Sequence, residues 1–250
     1  MSDLQSLCER GQEQLIGMEY LDAERTLVEA EQIALEERDF DALSRLYMPL
    51  QESRRQIRQR CGEGTIHLSL LASGPDDPSI DPDALIERYP QGQFLIAGWG
   101  TMEPAIRFRS LQQERSRYVE TYLAAVYPVN GNRAVAIAPL PEAQLPPPTD
   151  RPIDALLSLL PPHSIVLPAS ELPTGPQRAT PQTYAYTMDL WERLHRPFLS
   201  LAEPQPDSMR RIIAFRQTIR VDYACELAHQ HLAQTAHRLV RSHRAASRRV

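Results

Sequence analysis

Ile57-Arg58-Gln59-Arg60-Cys61-Gly62-Glu63-Gly64-Thr65-Ile66-His67-Leu68-Ser69-Leu70-Leu71 is where the chain changes period. Upstream, apolar residues recur at helical spacing, and a helix over residues 39 to 60 runs into Gly62 and Gly64. Downstream come short apolar runs divided by turn residues: Ile66–Leu71, Phe94–Ala97, Ala134–Ile137 and Ile165–Leu167. These read as strands. Val129-Asn130-Gly131-Asn132-Arg133 joins Thr121–Val129 with Arg133–Pro139, and Asn-Gly suits a hairpin turn that needs positive φ. Short helices are expected at Pro82–Arg88, capped by Asp81, and at Ile153–Leu160. Residues 103 to 120 fit both periods: Ile106 and Phe108 alternate, while Leu111, Arg115, Tyr118, Val119 and Tyr122 step as a helix does.

Before the switch lie three amphipathic groups: Leu4, Leu7, Leu15; then Tyr20, Ala23, Leu27, Ala30, Ala34; then Phe40, Leu43, Leu46, Tyr47, Leu50, Ile57. The middle group, Tyr20-x-x-Ala23-x-x-x-Leu27-x-x-Ala30 preceded by Gly11, resembles one tetratricopeptide unit over about residues 3–35. The resemblance implies a helical hairpin whose small residues allow close approach. It departs from that family's pattern at Arg10 and Gln14, and no second copy follows. A lone unit cannot bury its apolar face, so it needs another surface. Such a surface is expected at the other end. There Tyr184–Leu199 reads as a helix broken near Pro197, and Asp207 to about Ala245 as one long helix of roughly 55 Å. Its stripe comprises Ile212, Phe215, Ile219, Tyr223, Leu227, Leu232, Ala236 and Leu239.

Charge agrees with this pairing. Residues 1–60 hold 13 acids and 8 arginines, and residues 207–250 hold 3 acids and 9 arginines. The expected fold is therefore α+β. A helical layer forms from the N-terminal helices (1–62) and the C-terminal helices (182–245), with a mixed, largely antiparallel sheet segment (64–172) inserted. Proline-dense connectors at 139–152 and 172–181 punctuate it.

All 27 basic residues are arginine. Without lysine there is no Schiff-base chemistry, no P-loop lysine and no kinase-type lysine. Gly-x-Ser-x-Gly and His-Glu-x-x-His are also absent, so no catalytic signature is present and no cofactor is expected. Two Glu-x-x-His pairs, Glu192/His195 and Glu226/His229, put carboxylate and imidazole on one helix face and are the metal-ligand candidates. Chance spacing with capping or ion-pair roles is the competing explanation. Asp76, Asp77, Asp81 and Asp83 lack the order of a calcium loop, and Gly98-Trp99-Gly100-Thr101 reads as a tight turn before a phosphate cradle. Arg238, Arg241, Arg244, Arg248 and Arg249 suit a helix C-terminus first and nucleic acid second. Trp99 and Trp191 are read as core.

Cys8, Cys61 and Cys225 are far apart and are read as reduced thiols. The first residues have no basic start with an apolar run, and no apolar stretch of about 18 residues occurs, so a cytoplasmic, non-membrane protein is expected. The functional expectation is a scaffold or adaptor that uses its helical layer to bind a protein partner or to dimerise. The competing class is an enzyme or small-ligand binder with its pocket in the α/β segment.

Overall fold

The computed structural model describes residues 4–247, with side chains through residue 245. The chain divides into two compact units, residues 4–57 with 195–247, and residues 58–194. The division falls inside two helices, after Ile57 and after Leu194, and not in the proline-rich connectors.

The first unit is helical. It contains α1 (Leu4–Ile16), α2 (Tyr20–Glu37), most of α3 (Phe40–Glu63), the end of α7 (Pro181–Ala202), α8 (Met209–Val221) and α9 (Glu226–Ser247). Asp39 starts α3 by accepting the Ala42 N–H at 2.9 Å, and Arg38 ends α2 in the left-handed conformation at φ 54°. A Cβ on Gly11 would lie 2.7 Å from the Leu27 side chain, so α1 and α2 approach so closely there that any larger residue would push Leu27 aside. Leu7, Leu27, Ala30, Leu43, Leu46 and Leu50 share one buried core with Ile212, Phe215, Ala228, Leu232 and Ala236. The two ends of the chain thus form a single helical layer. Burial of these stripes, at about 25 cal/mol per Å², supplies most of its stability. Charge adds the pairs Glu31–Arg216 and Asp41–Arg244.

Two expectations about the C-terminal helices are corrected. The stretch from Asp207 is not one rod: Asp222–Cys225 separates α8 from α9. Asp222 Oδ1 accepts the Ala224 N–H at 3.2 Å and its carbonyl accepts the Cys225 N–H at 3.1 Å, local bonds that compete with helix continuation. The break resets the face, so Leu227 is half exposed while Ala228 is buried. Nor is α7 broken at Pro197, which lies inside it. Buried Leu194, Leu199 and Ala202 around the proline offset the lost backbone bond.

The second unit is a six-stranded mixed sheet with helices. Its elements are β1 (Thr65–Leu71), α4 (Pro82–Arg88), β2 (Gln91–Trp99), α5 (Glu103–Glu114), β3 (Tyr118–Val129), β4 (Asn132–Ala138), α6 (Ile153–Leu159), β5 (Ile165–Pro168) and β6 (Gln177–Arg178). The order is β5-β4-β3-β2-β1-β6. β1, β2 and β3 run parallel, linked by α4 and α5, and the other three ladders are antiparallel. Asp81 caps α4 by accepting the Asp83 and Ala84 N–H groups. The β3–β4 hairpin turns on Asn130 and Gly131 at φ 49° and 75°, the positive pair that its sequence suits. The ambiguous residues 103 to 120 divide into both structures: helix through Glu114, then strand from Tyr118.

Strand alternation sorts the sheet's residues. Phe94, Ile96, Val119 and Leu123 pack with Ile86, Ala105, Phe108 and Leu111 of α4 and α5. Their neighbours Gln93, Glu120 and Tyr122 occupy the alternate positions, with Gln93 opposite Glu120 in register.

Candidate functional site

The turn between α8 and α9 gathers a carboxylate, an imidazole and a thiol in the helical unit. Asp222 is placed by the end of α8, Cys225 immediately precedes α9, and His195 comes from the last turns of α7. His195 Nδ1 lies 2.7 Å from Asp222 Oδ2. Asp222 and Cys225 are buried, and His195 nearly so. Burial opposes charge on His195, but the hydrogen bonds to Asp222 and Cys225 win and push its pKa up to about 9. At neutral pH the ring is therefore an imidazolium whose Nδ1–H donates to Asp222.

A second histidine meets the same cysteine from inside the core. The Cys225 carbonyl accepts from His229 Nδ1 at 2.8 Å, and His229 Nε2 faces Arg54 Nη1 at 3.2 Å. Guanidinium only donates, so Nε2 accepts and Nδ1 carries the proton. Burial, and then the Arg54 charge, push the His229 pKa down to about 3, leaving the ring neutral. Arg54 also donates to Glu24 at 3.0 Å. The two histidines around Cys225 thus hold opposite protonation states.

This geometry corrects the metal reading. His195 bonds Asp222 and His229 bonds the Cys225 carbonyl, but Glu192 and Glu226 lie exposed, and the four do not converge on one centre. His229 Nε2 is turned to a guanidinium, which a metal ion would have to displace. Among the described residues no group of three or more His, Cys, Asp or Glu side chains stands where it could hold a metal ion. Asp222 and Cys225 were not among the sequence candidates. The signal available was the single acid Asp222, set beside the stripe of an otherwise helical stretch.

In the sheet unit, the polar residues form a closed buried network. Glu120 Oε1 accepts from Arg58 Nε and Nη2 at 3.0 and 2.6 Å, and its Oε2 accepts from Gln93 Nε2 at 2.7 Å. Gln93 Oε1 accepts from the Thr187 hydroxyl at 2.8 Å, and the Tyr122 hydroxyl donates to the Thr187 carbonyl at 2.7 Å. Arg58 also lies over the Trp191 ring, which stacks on Tyr122. Trp191 is core, as its apolar neighbours suggest. The Gly98–Thr101 stretch is a tight turn closed by a bridge between its ends, with Pro148 packed against Gly100. Asp77 spans its own loop, accepting from the Ser73 and Ser79 N–H groups, which hold its pKa down at about 2.

At the surface of the helical unit, the α1–α2 turn Ile16-Gly17-Met18 leaves Ile16 81% and Met18 67% exposed. Met18 holds a left-handed φ of 62°. Of the basic tail, Arg238 pairs with Asp207 and Arg244 with Asp41, while Arg248 and Arg249 lie outside the described residues. No helix among the described residues is long and apolar enough to cross a membrane. In comparisons with protein-family models, curated proteins and solved structures, the chain matches none of them.

Proposed function

We propose that the chain is a protein-interaction protein, a scaffold or adaptor, whose tetratricopeptide-like α1–α2 hairpin engages another protein chain through the apolar turn at Ile16–Met18. One observation carries the reading: two large apolar side chains stand almost fully exposed where the backbone also takes a costly conformation. A left-handed methionine costs about 1–2 kcal/mol over a glycine or asparagine, and burying an exposed isoleucine recovers about 1.5–3 kcal/mol on binding. Backbone strain of this kind gathers at functional segments, and beside exposed apolar side chains it supports a contact surface. Three free, buried thiols fit a reducing compartment, which supports the reading of a cytoplasmic interaction.

The test is photo-crosslinking. A photoreactive residue at exposed Glu19 should yield a discrete protein adduct, a second copy of the chain included, and Ile16→Asp/Met18→Asn should abolish it without lowering the melting temperature. No adduct beyond those obtained from a photoreactive residue at exposed Gln113, or an adduct that survives the double substitution, overturns the proposal.

A further inference from the structure

β5 ends the sheet: it pairs with β4 alone, and among the described residues no strand lies against its other side. In an antiparallel ladder every second residue turns its N–H and C=O away from the neighbour, so that side presents unpaired backbone donors and acceptors. α6 lies beside it. Leu156 and Leu160 of α6 pack with Ala125, Tyr127 and Ala136, and Val166 of β5 rests against the same cluster. Just before α6, Asp150 accepts from the Gly131 N–H of the β3–β4 turn at 3.4 Å, and after it Ile165 stands opposite Ile137 at the far end of β4. α6 therefore runs antiparallel to β3. With the right-handed crossovers general to parallel strands, that direction turns Ile153 and Leu157, one helical turn apart, towards β5. They are 38% and 47% exposed.

No charge guards this edge. Residues 155–170 form the longest run of the sequence without aspartate, glutamate or arginine, in a chain that is 24% charged. Sheet edges are ordinarily protected by charged side chains, lysine above all, and this chain has no lysine. The opposite edge is blunted: β6 is two residues long, and its Arg178 is exposed.

We infer that two copies of the chain join across a two-fold axis at β5, strand antiparallel to strand. An axis normal to the sheet keeps both α6 helices on one face, where the Ile153 and Leu157 flanks cover one another. An extended peptide would satisfy the backbone edge but leave those two side chains in water. A second copy supplies strand and helix together, because a two-fold axis sets each patch against its own likeness. Pro168 has no N–H, which stops the pairing at its end of β5 and confines it to Ile165, Val166 and Leu167. With one open edge per chain, assembly closes at two copies instead of growing into a fibre. Only residues of the sheet unit take part, so the inference does not rest on the Ile16–Met18 turn.

Sedimentation velocity of the full chain, over a concentration series up to about 0.1 mM, reads the assembly, and hydrogen–deuterium exchange reads the edge. The expected result is a two-chain mass, with exchange of the peptide spanning β5 slowing as the dimer forms. Leu157→Asp sets two carboxylates in one interface and should raise the dissociation constant by about tenfold or more, removing the protection of β5 in step. Leu201→Asp, at a leucine 60% exposed in the helical unit, should leave both readouts unchanged. Should Leu157→Asp not fold, the exchange of β5 against concentration in the unsubstituted protein decides the matter. A one-chain mass throughout overturns the proposal, as does a dimer whose formation leaves β5 exchange unchanged. A dimer equally tight in folded Leu157→Asp, or one that Leu201→Asp dissolves, overturns it too.

Discussion

Replacing Glu120 by glutamine removes one charge and adds a donor where three donors already converge. Arg58 gives two N–H groups to Oε1 and Gln93 gives one to Oε2, with Arg58 and Glu120 side chains only 8% and 4% exposed. The new amide keeps one acceptor. Either Arg58 or Gln93 must then face an NH2 group, and Gln93 cannot turn over without losing its bond from Thr187. A buried guanidinium stripped of its counter-charge costs about 3–5 kcal/mol, so Glu120→Gln is expected to destabilise by that amount. The assay is urea unfolding followed by tryptophan emission, because Trp99 and Trp191 both lie in the 58–194 unit and report on it. Arg58→Met/Glu120→Gln removes both charges while leaving Gln93 an acceptor. It should cost only about 1–2 kcal/mol, less than the single change, giving a coupling of several kcal/mol. A Glu120→Gln protein within 1 kcal/mol of the parent, or a double substitution whose cost equals the sum of the two singles, refutes the account.

Stability should peak near the ordinary histidine pKa and decline on both sides. His195, raised from 6.5 to about 9, contributes fully below 6.5 and loses that contribution as pH rises through 9, an effect of about 3 kcal/mol. His229, lowered from 6.5 to about 3, contributes above 6.5 and loses it as pH falls towards 3. Urea midpoints measured across pH check both limbs, and the alkaline decline must shrink in His195→Gln. Gly11→Ala forces a Cβ to within 2.7 Å of Leu27 and should cost about 1–3 kcal/mol by thermal unfolding, partly recovered by Leu27→Val. Tyr47→Phe deletes the hydroxyl that donates to buried Glu31 at 3.1 Å while Arg216 still holds that carboxylate, so the loss should be only about 0.5–1.5 kcal/mol by the same measurement.

Local chemistry made much of the architecture legible. Asp81-Pro82 starts α4, Asn130-Gly131 turns the hairpin, and the period change after Gly64 marks the first strand, because each signal lies within a few residues of the structure it specifies. The buried clusters were not legible for the opposite reason. Glu120 meets Arg58 from 62 positions away, and His195 meets Asp222 from 27 away, so neither pairing leaves a spacing to read. A weaker signal was present all the same: a glutamate at the start of the largely apolar run Val119–Val126 is too costly to bury without a partner. The partner's type follows from the composition. In a chain without lysine a buried cation other than histidine is a guanidinium, and the sites exploit what an ammonium lacks. Arg58 doubles its hydrogen bonds on one carboxylate oxygen while its plane covers Trp191, and Arg54 reaches Glu24 with one edge and His229 with another. The absence of lysine closes several reaction classes, and it also accounts for how arginine's planar fork can join distant helices and strands around buried carboxylates and a neutral imidazole.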